Sequence, residues 1–337
     1  MTAPALPDEA AAFLTECCGD QWSVEPLAGD ASVRRYFRIR LPDGSSRMLA
    51  YYPSEVRAQL EQFLGAYHAV ASHGSVPEVL RHSDAAVLQV DVGDQTLFDL
   101  LHHDRDEGVR RYRQAIDALV DFQRAGAGEV NPPFNSDFFF RELEMTREFY
   151  VEKLMGSPES GRLVSLFRRL TDKLERHPYV LCHRDYHGQN IHIINTNLFI
   201  IDYQDMRMGP DTYDMASLLR DRGVARVLGE DTEMELLTYY AGKRNVDGVL
   251  RTRYFETLLQ RSIKIIGTYS RQPIERGRLH YLEFIPPSIE SLQRCLRELA
   301  EFADLGRIFP LQFSLEAARR RVKGMLDGSP QDHAASR

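Results

Sequence analysis

The residues best suited to chemistry lie in the string CHRDYHGQN at positions 182–190 and at Asp202, which directly follows an apolar run. Phosphoryl transfer requires one carboxylate that accepts the proton of the attacking hydroxyl and two oxygen ligands that hold Mg²⁺ against the phosphates. Asp185 supplies the carboxylate, and Asn190 and Asp202 supply the ligands, because a short hairpin between them returns the chain to one metal. The spacing therefore predicts an ATP- and Mg²⁺-dependent kinase.

The same segment admits two other interpretations. In the first, its polar residues form only turn hydrogen bonds and Asp202 caps a helix. In the second, Cys182, His183, His187 and His192 bind zinc, although their spacing matches neither a tetrahedral finger nor the helical His-Glu-x-x-His pattern. We favour the kinase interpretation because the complete string, with apolar strands on both sides, rarely arises by chance. His183 is then a catalytic-loop residue that braces the backbone.

A second candidate site is a turn of small residues ahead of the first predicted hairpin. Small side chains let backbone N–H groups approach phosphate oxygens, and the arginines that follow add positive charge. Residues 89–93 end a predicted strand and are placed to receive adenine as a hinge. The residues that we assign to nucleotide binding are Gly29, Asp30, Ala31, Ser32, Arg34, Arg35, Gln89, Asp91 and Asn190.

The periodicity of apolar residues predicts the elements that position these groups. Near the N-terminus it predicts a helix at 7–18, a β-hairpin from 36–41 and 48–52, a helix at 54–70 and a strand at 86–90. From residue 96 onward helices dominate, interrupted by short strands at 179–181, 191–194 and 198–201. The predicted helices are 110–124, 137–155, 161–176, 215–220, 234–241, 251–269 and 288–303.

The composition argues against several classes of protein. A net charge of −7 disfavours a phosphodiester backbone as the main partner. Of the four cysteines, Cys17 and Cys18 are adjacent and Cys182 and Cys295 are far from both in the sequence. This is a poor disulfide framework, which indicates a reducing compartment. The N-terminus lacks the layout of a secretory signal, and no apolar stretch approaches the roughly 20 residues needed to cross a bilayer. We therefore expect a cytoplasmic monomer that binds a small-molecule substrate, with no nucleic-acid and no membrane partner.

These motifs resemble the aminoglycoside phosphotransferase and choline kinase-like superfamily. The loop from His183 to Asn190 and the later Asp202 are similar to its catalytic loop and metal-binding aspartate. Three further stretches, 29–38, 202–214 and 260–269, look like its branch of anomeric N-acetylmuramate and N-acetylglucosamine kinases, which act in cell-wall recycling. The resemblance implies an α+β, protein-kinase-like fold of two lobes. We place a β-rich N-lobe at 1–92, a helical C-lobe at 93–326 and a disordered tail at 327–337.

By this resemblance Asp185 is the catalytic base, Asn190 and Asp202 bind Mg²⁺, and Asp214 anchors the catalytic core. The phosphorylated group is the anomeric hydroxyl of an amino sugar. One departure concerns the strand after the hairpin, which in kinases normally carries a lysine for the α- and β-phosphates. Residues 48–52 contain none, and the nearest cations are Arg34, Arg35 and Arg47. Alternation along the strand allows only one of Arg34 and Arg35 to reach the phosphates.

The acceptor-binding residues are predicted from a helical face. Asp137, Arg141 and Glu144 recur at helical spacing, and His187 and Asp205 are close in sequence to the catalytic residues. We expect at least half of the helical face to be simply solvated. An aminoglycoside, choline or amino-alcohol acceptor is an alternative to the sugar. A nucleotide-binding pseudokinase is a second alternative, suggested by the missing lysine.

Overall fold

The computed structural model describes residues 6–27, 33–73, 75–125, 131–158, 160–220, 223–246 and 248–328. Gly29, Asp30, Ala31 and Ser32, which form the predicted phosphate-binding turn, and residues 329–337 of the predicted tail lie outside these ranges. The chain divides into two compact units, the first from Met1–Pro132 and Leu181–Arg207 and the second from Pro133–Val180 and Met208–Arg337. The lobe boundary between residues 92 and 93 stays a prediction.

The described residues form the following elements. The strands are β1 (Ser23–Leu27), β2 (Arg35–Arg40), β3 (Ser46–Tyr51), β4 (Val79–His82), β5 (Ala86–Val90), β6 (Tyr179–Cys182), β7 (Ile191–Ile194), β8 (Asn197–Ile200) and β9 (Arg207–Pro210). The α-helices are α1 (Asp8–Cys18), α2 (Ala58–Val70), α3 (Leu97–His103), α4 (Arg105–Arg124), α5 (Ser136–Thr146), α6 (Leu163–Glu175), α7 (Tyr213–Arg220), α8 (Val224–Arg244), α9 (Val249–Arg276), α10 (Ile285–Glu298), α11 (Ala303–Ile308) and α12 (Leu315–Gly328). A π-helix spans Arg147–Leu154.

The first unit contains an antiparallel sheet in the order β1-β2-β3-β5-β4. Because side chains alternate across a strand, Phe37 and Ile39 of β2 point to one face. There they are buried together with Leu49 of β3 and Leu14 of α1. The turn between β2 and β3 contains Gly44 at a φ of 81°, in the left-handed region that favours glycine. The hairpin predicted at 36–41 and 48–52 is therefore confirmed.

Strands β7 and β8 form an antiparallel hairpin, with Ile191 opposite Ile200. The hairpin follows residues 183–190, which we call the catalytic loop after their predicted role. The backbone of the hairpin is attached to the segment before α3, because Ile193 N donates to Gln95 O at 2.9 Å. The catalytic loop meets α3 at Gly188, where an added Cβ would stand 2.8 Å from Phe98 N. Glycine is therefore required at this crossing of two backbones.

The second unit is organised around α9, which packs against α5, α6, α7 and α10. Helices α5 and α9 approach closely at Gly267, where an added Cβ would stand 2.2 Å from Thr146 Oγ1. The hydroxyl of Thr146 donates to Ile263 O at 2.8 Å. Directly after Thr146 the chain changes from α-helix to π-helix. The single helix predicted at 137–155 is thus two helices of different type.

The predicted α+β class is confirmed, with a small antiparallel sheet followed by a mostly helical chain. The strands predicted at 86–90 and 191–194 coincide with β5 and β7. The helix predicted at 288–303 ends earlier, at Glu298, and a 3-10 turn follows at Ala300–Phe302. Residues 327 and 328, the first two of the predicted tail, are the last two of α12. Within the described ranges, no helix is long and apolar enough to span a membrane.

Candidate active site

The catalytic loop lies between β6 and β7 and is held by hydrogen bonds to one backbone carbonyl. His187 N donates to Asp185 O at 3.0 Å, and Asn190 Nδ2 donates to the same oxygen at 2.9 Å. The preceding residue, Arg184, has a φ of 81°, a conformation that residues with side chains rarely adopt. Such backbone persists only where neighbouring contacts fix it, as the two donors do here. Asp185 is half-buried within this turn.

His183 connects the catalytic loop to the segment that carries Asp202. Its ring is fully buried, with ring centroids of Phe122 and Tyr186 at 5.9 and 5.7 Å. Its Nε2 lies 2.9 Å from Ile201 O, and because a carbonyl only accepts, this nitrogen carries the proton. A ring that donates to the backbone in this way suits the role of a brace.

Asn190 and Asp202 lie at the same end of the β7–β8 hairpin. Ile201 N donates to Asn190 O at 3.0 Å, so Asp202 follows the residue opposite Asn190. The Asp202 side chain is 43% exposed, and its backbone has a φ of 65°. Asn190 uses its amide nitrogen as a donor, which leaves its carbonyl oxygen as the atom suited to a cation. An amide oxygen beside an exposed carboxylate is a donor set that fits Mg²⁺.

The zinc interpretation finds less support in the structure. Among the residues that are described, no group of three or more His, Cys, Asp or Glu side chains is arranged to hold a metal ion. Nε2 of His183 and Nδ1 of His192 are each within hydrogen-bond distance of a backbone carbonyl, Ile201 O and Gly93 O. These two ring nitrogens are therefore engaged with the backbone.

Arg34, and not Arg35, lies beside the carboxylate of Asp202, the predicted metal ligand. Arg34 Nη2 lies 3.6 Å from Asp202 Oδ1, and the guanidinium carbon lies 5.9 Å from the ring centroids of both Tyr36 and Tyr52. Arg35 is exposed and lies opposite Tyr51 in the ladder. Burial raises the pKa of Tyr36 to about 12, so its hydroxyl stays neutral beside Arg34. The positive charge of Arg34 is thus directed toward the candidate metal site.

Asp205 is held by two polar groups of the first unit. Arg184 Nη1 lies 3.9 Å from Asp205 Oδ1, and Gln62 Nε2 lies 3.4 Å from the same oxygen. Between Asp202 and Asp205, the side chain of Gln204 donates from Nε2 to Asp202 Oδ1 at 2.8 Å. Gln62 and Gln204 were not predicted from the sequence, since a lone glutamine carries no spacing signal.

The predicted hinge contains a buried ion pair. Arg38 Nε donates to Asp91 Oδ2 at 2.7 Å, and Arg38 Nη2 donates to Asp94 Oδ1 at 2.7 Å. Burial favours a higher pKa for Asp91, but hydrogen bonds from Arg38, Ser46 and the N–H of Gly93 outweigh it and hold the pKa below its usual value. The Asp91 carboxylate is therefore engaged with these groups, and the role of residues 89–93 as an adenine hinge stays a prediction. Gln89 lies in β5 opposite Met48.

The residues predicted to bind the acceptor lie on α5 in the second unit, except His187 and Asp205. Asp137 forms an ion pair with Arg168 at 2.6 Å, and Glu144 forms one with Arg147 at 2.7 Å. Arg141 and Glu144 line a groove of about 880 Å³, whereas Asp137 is not among its lining residues in the described chain. The groove is lined by Phe138, Arg141, Glu142, Glu144, Met145, Arg147, Glu148, Phe149, Glu152, Lys264, Thr268, Arg271 and Glu275.

Two of the least exposed charged groups of this groove form one polar cluster. Glu142 Oε2 accepts from Gln260 Nε2 at 2.8 Å, and Glu142 Oε1 lies 3.9 Å from Lys264 Nζ. The side chains of Glu142 and Lys264 are 14% and 22% exposed. A carboxylate and an ammonium that are partly shielded from water suit a ligand with several hydroxyl or amide groups.

Comparison with known proteins gives a consistent assignment. A model of the phosphotransferase enzyme family matches residues 23–249. The chain is 29% identical to the N-acetylmuramate/N-acetylglucosamine kinase of Pseudomonas aeruginosa over 313 residues, which cover 88% of this chain and 91% of that protein. It is 28% identical to the protein of the same name from Neisseria meningitidis, with 82% and 87% covered. These names match the branch that the sequence motifs resemble.

Solved structures agree at the level of the fold. A choline/ethanolamine kinase family protein from Mesorhizobium loti superposes with a TM-score of 0.61 at 18% identity, covering 93% of this chain and 99% of that one. The ADP-bound aminoglycoside phosphotransferase APH(2'')-Ib superposes with a TM-score of 0.61 at 15% identity, covering 86% and 97%. The predicted protein-kinase-like fold is confirmed.

Proposed function

The chain belongs to the phosphotransferase enzyme family, as its motifs predict, and on that premise we propose that it transfers a phosphoryl group from ATP to the anomeric hydroxyl of an amino sugar. N-acetylmuramate and N-acetylglucosamine are the leading acceptors, because two relatives with high mutual coverage carry those names. The observation that carries the proposal is the connection of Asp185, Asn190 and Asp202 through the catalytic loop and the β7–β8 hairpin.

Each residue of this group has a distinct task in the proposed reaction. Asp185 accepts the proton of the acceptor hydroxyl as it attacks the γ-phosphorus, and the donors on its backbone carbonyl fix its position. Asn190 and Asp202 would hold Mg²⁺, which when bound neutralises negative charge on the phosphates. Arg34 supplies a further positive charge next to Asp202, in place of the lysine that β3 lacks.

We assign recognition of the acceptor to the groove of the second unit. Glu142 and Lys264 offer an acceptor and a donor for sugar hydroxyl and acetamido groups, and Arg141 and Lys264 suit the carboxylate of a muramate. Of the residues that the structure describes, five glutamates and four basic residues line the groove, so its charges nearly balance. A polycationic aminoglycoside would favour a strongly acidic surface, which makes a neutral or singly charged sugar the better match.

The direct test is an ATP-consumption screen of the purified protein. The acceptors are N-acetylmuramate, N-acetylglucosamine, glucosamine, galactosamine, choline and kanamycin. We expect turnover on the N-acetylated sugars and none on their 1-O-methyl glycosides, because the anomeric oxygen is blocked. If a methyl glycoside is phosphorylated as well as the free sugar, the phosphoryl group is transferred to a hydroxyl other than the anomeric one. Turnover only on choline or kanamycin would favour that acceptor class, and ATP binding without any turnover would favour a pseudokinase.

We also propose a cytoplasmic location and a monomeric state. The supply of ATP and Mg²⁺ in the cytoplasm matches the proposed reaction, and the cysteines Cys17, Cys18, Cys182 and Cys295 are free thiols. Sedimentation equilibrium of the purified protein tests the monomer, and a mass of twice 38.7 kDa would contradict it.

A further inference from the structure

Helix α2 contacts the segment that directly follows the metal-binding carboxylate. The ring of Phe63 stacks on Tyr203 with centroids 5.5 Å apart and planes inclined by 29°. The preceding residue is Gln62, and its Nε2 lies 3.0 Å from Asn131 Oδ1 and 3.2 Å from Gln204 O. The helix therefore contacts this segment through the ring of Phe63 and through the side-chain amide of Gln62.

Asn131 completes the polar contact from a different part of the chain. Its Nδ2 donates to Gln204 O at 3.0 Å and to Met206 O at 2.9 Å. Both donor positions of this amide are therefore used on backbone carbonyls of the loop between β8 and β9. We call Gln62 and Asn131 the amide clamp.

The clamp is connected to Asp202 through a single residue. Gln204 is gripped at its backbone oxygen by both clamp residues, and its side chain donates to Asp202 Oδ1 at 2.8 Å. Asp202 itself has left-handed backbone, a conformation that requires fixed neighbours. We propose that Gln62 and Asn131 are positioning residues, which orient the Asp202 carboxylate for Mg²⁺ by holding Gln204. This inference rests on the Mg²⁺-ATP part of the proposed function.

The chemistry of the clamp suits this task. Amides donate hydrogen bonds without adding a formal charge, so they fix the loop without competing with a cation for Asp202. Removal of a group that orients a metal ligand through hydrogen bonds typically lowers metal affinity by about 10- to 100-fold. A role confined to packing would instead lower the stability of the fold and leave the metal dependence of nucleotide binding unchanged.

Calorimetric titration with ATP, in Mg²⁺ and again in EDTA, separates these roles. The variants are Gln62→Leu, which keeps volume but removes the donor, and Asn131→Asp, which keeps shape but removes both donors. We expect each to weaken ATP binding in Mg²⁺ about tenfold and to leave binding in EDTA unchanged. Because both hold Gln204, the double variant should lose less than the two single losses combined.

Two reference variants make the result decisive. Gln59→Leu alters an exposed glutamine on the same helix and should bind ATP like wild type in both buffers. Asp202→Ala should abolish the difference between Mg²⁺ and EDTA. A clamp variant that folds and keeps the full Mg²⁺ effect overturns the clamp, whether its melting temperature is that of wild type or lower; if Gln62→Leu does not fold, Asn131→Asp decides. A wild-type protein without any Mg²⁺ effect overturns instead the proposed metal site.

Discussion

At the residue scale, a substitution of Asp185 can remove the proton-accepting carboxylate while the backbone conformation of the loop is kept. Asn190 and His187 donate to its backbone carbonyl, so the loop does not depend on the ionised side chain for these bonds. We predict that Asp185→Asn leaves ATP affinity unchanged but lowers kcat by about 10²- to 10⁴-fold, the usual contribution of a positioned general base. Steady-state kinetics with calorimetric ATP titration measures both, and a variant with near wild-type kcat would remove Asp185 from this role.

The neighbouring arginines provide a matched pair for the missing lysine. Arg34 lies 3.6 Å from Asp202 and is 13% exposed, whereas Arg35 points to the other face of the sheet. We predict that Arg34→Ala raises the KM for ATP about tenfold or more, since a charged hydrogen bond contributes about 1.5 to 3 kcal/mol. Arg35→Ala is the control and should be nearly silent. If both substitutions leave the KM for ATP unchanged, the positive charge that binds the phosphates comes from another residue, and Arg47 is the next candidate.

The predicted catalytic and metal-binding residues can be proposed from the sequence alone, whereas the residues of the amide clamp cannot. Asp185, Asn190 and Asp202 stand in a short string with its own strands, so local spacing is sufficient to propose them. Gln62 and Asn131 donate hydrogen bonds to Gln204, which is 142 and 73 positions away in the chain. Contacts at such separation are set by the packing of whole elements and leave no periodic signal in the sequence.

At the element scale, β1 and the π-helix are examples of elements that the sequence did not predict, each for a physical reason. Strand β1 has three exposed residues among five, so it shows no alternation and is defined only by its ladder to β2. The π-helix at Arg147–Leu154 follows the close approach of Thr146 to Gly267. A change of helix type depends on contacts with another helix, which the apolar pattern of residues 137–155 does not record.

The segment after β5 offers a test of the buried ion pair. Arg38 binds both Asp91, whose side chain is 4% exposed, and Asp94, which is 79% exposed. Breaking a buried pair leaves an uncompensated charge, whereas exposed pairs contribute little. We predict that Asp91→Asn lowers the free energy of unfolding at pH 7 by about 3 kcal/mol. Asp94→Asn, the matched control, should lower it by less than about 1 kcal/mol.

The pH dependence of this difference has a definite sign. Hydrogen bonding to Arg38 outweighs burial and holds the pKa of Asp91 below its unfolded value of about 3.9. Its contribution is therefore complete above that value and is lost as the pH falls through the folded pKa. Urea denaturation of wild type and Asp91→Asn should give curves of stability that converge below about pH 4. A deficit of constant size from pH 7 to pH 3 would contradict this role of the ion pair.

At the scale of the whole molecule, the proposed tasks are divided between the two compact units. The catalytic loop, Asp202, Arg34 and the amide clamp all belong to the first unit. The groove with Glu142 and Lys264 belongs to the second. Substitutions in the two units should therefore alter different kinetic constants, which gives a test of the division.

Lys264 is the most informative position for this test. It is a cation that is 22% exposed in the groove, and its Nζ lies 3.9 Å from Glu142 Oε1. We predict that Lys264→Met, which keeps most of the aliphatic stem, raises the KM for the acceptor sugar about tenfold, the loss expected for a charged hydrogen bond. The KM for ATP should not change. The effect should be larger for N-acetylmuramate than for N-acetylglucosamine, because only the former carries a carboxylate for the ammonium to bind.

Lys323→Met, at an exposed position of α12, is the control and should leave both constants unchanged. An unchanged acceptor KM in Lys264→Met would remove the groove from sugar recognition, and an increased KM for ATP would contradict the division of tasks.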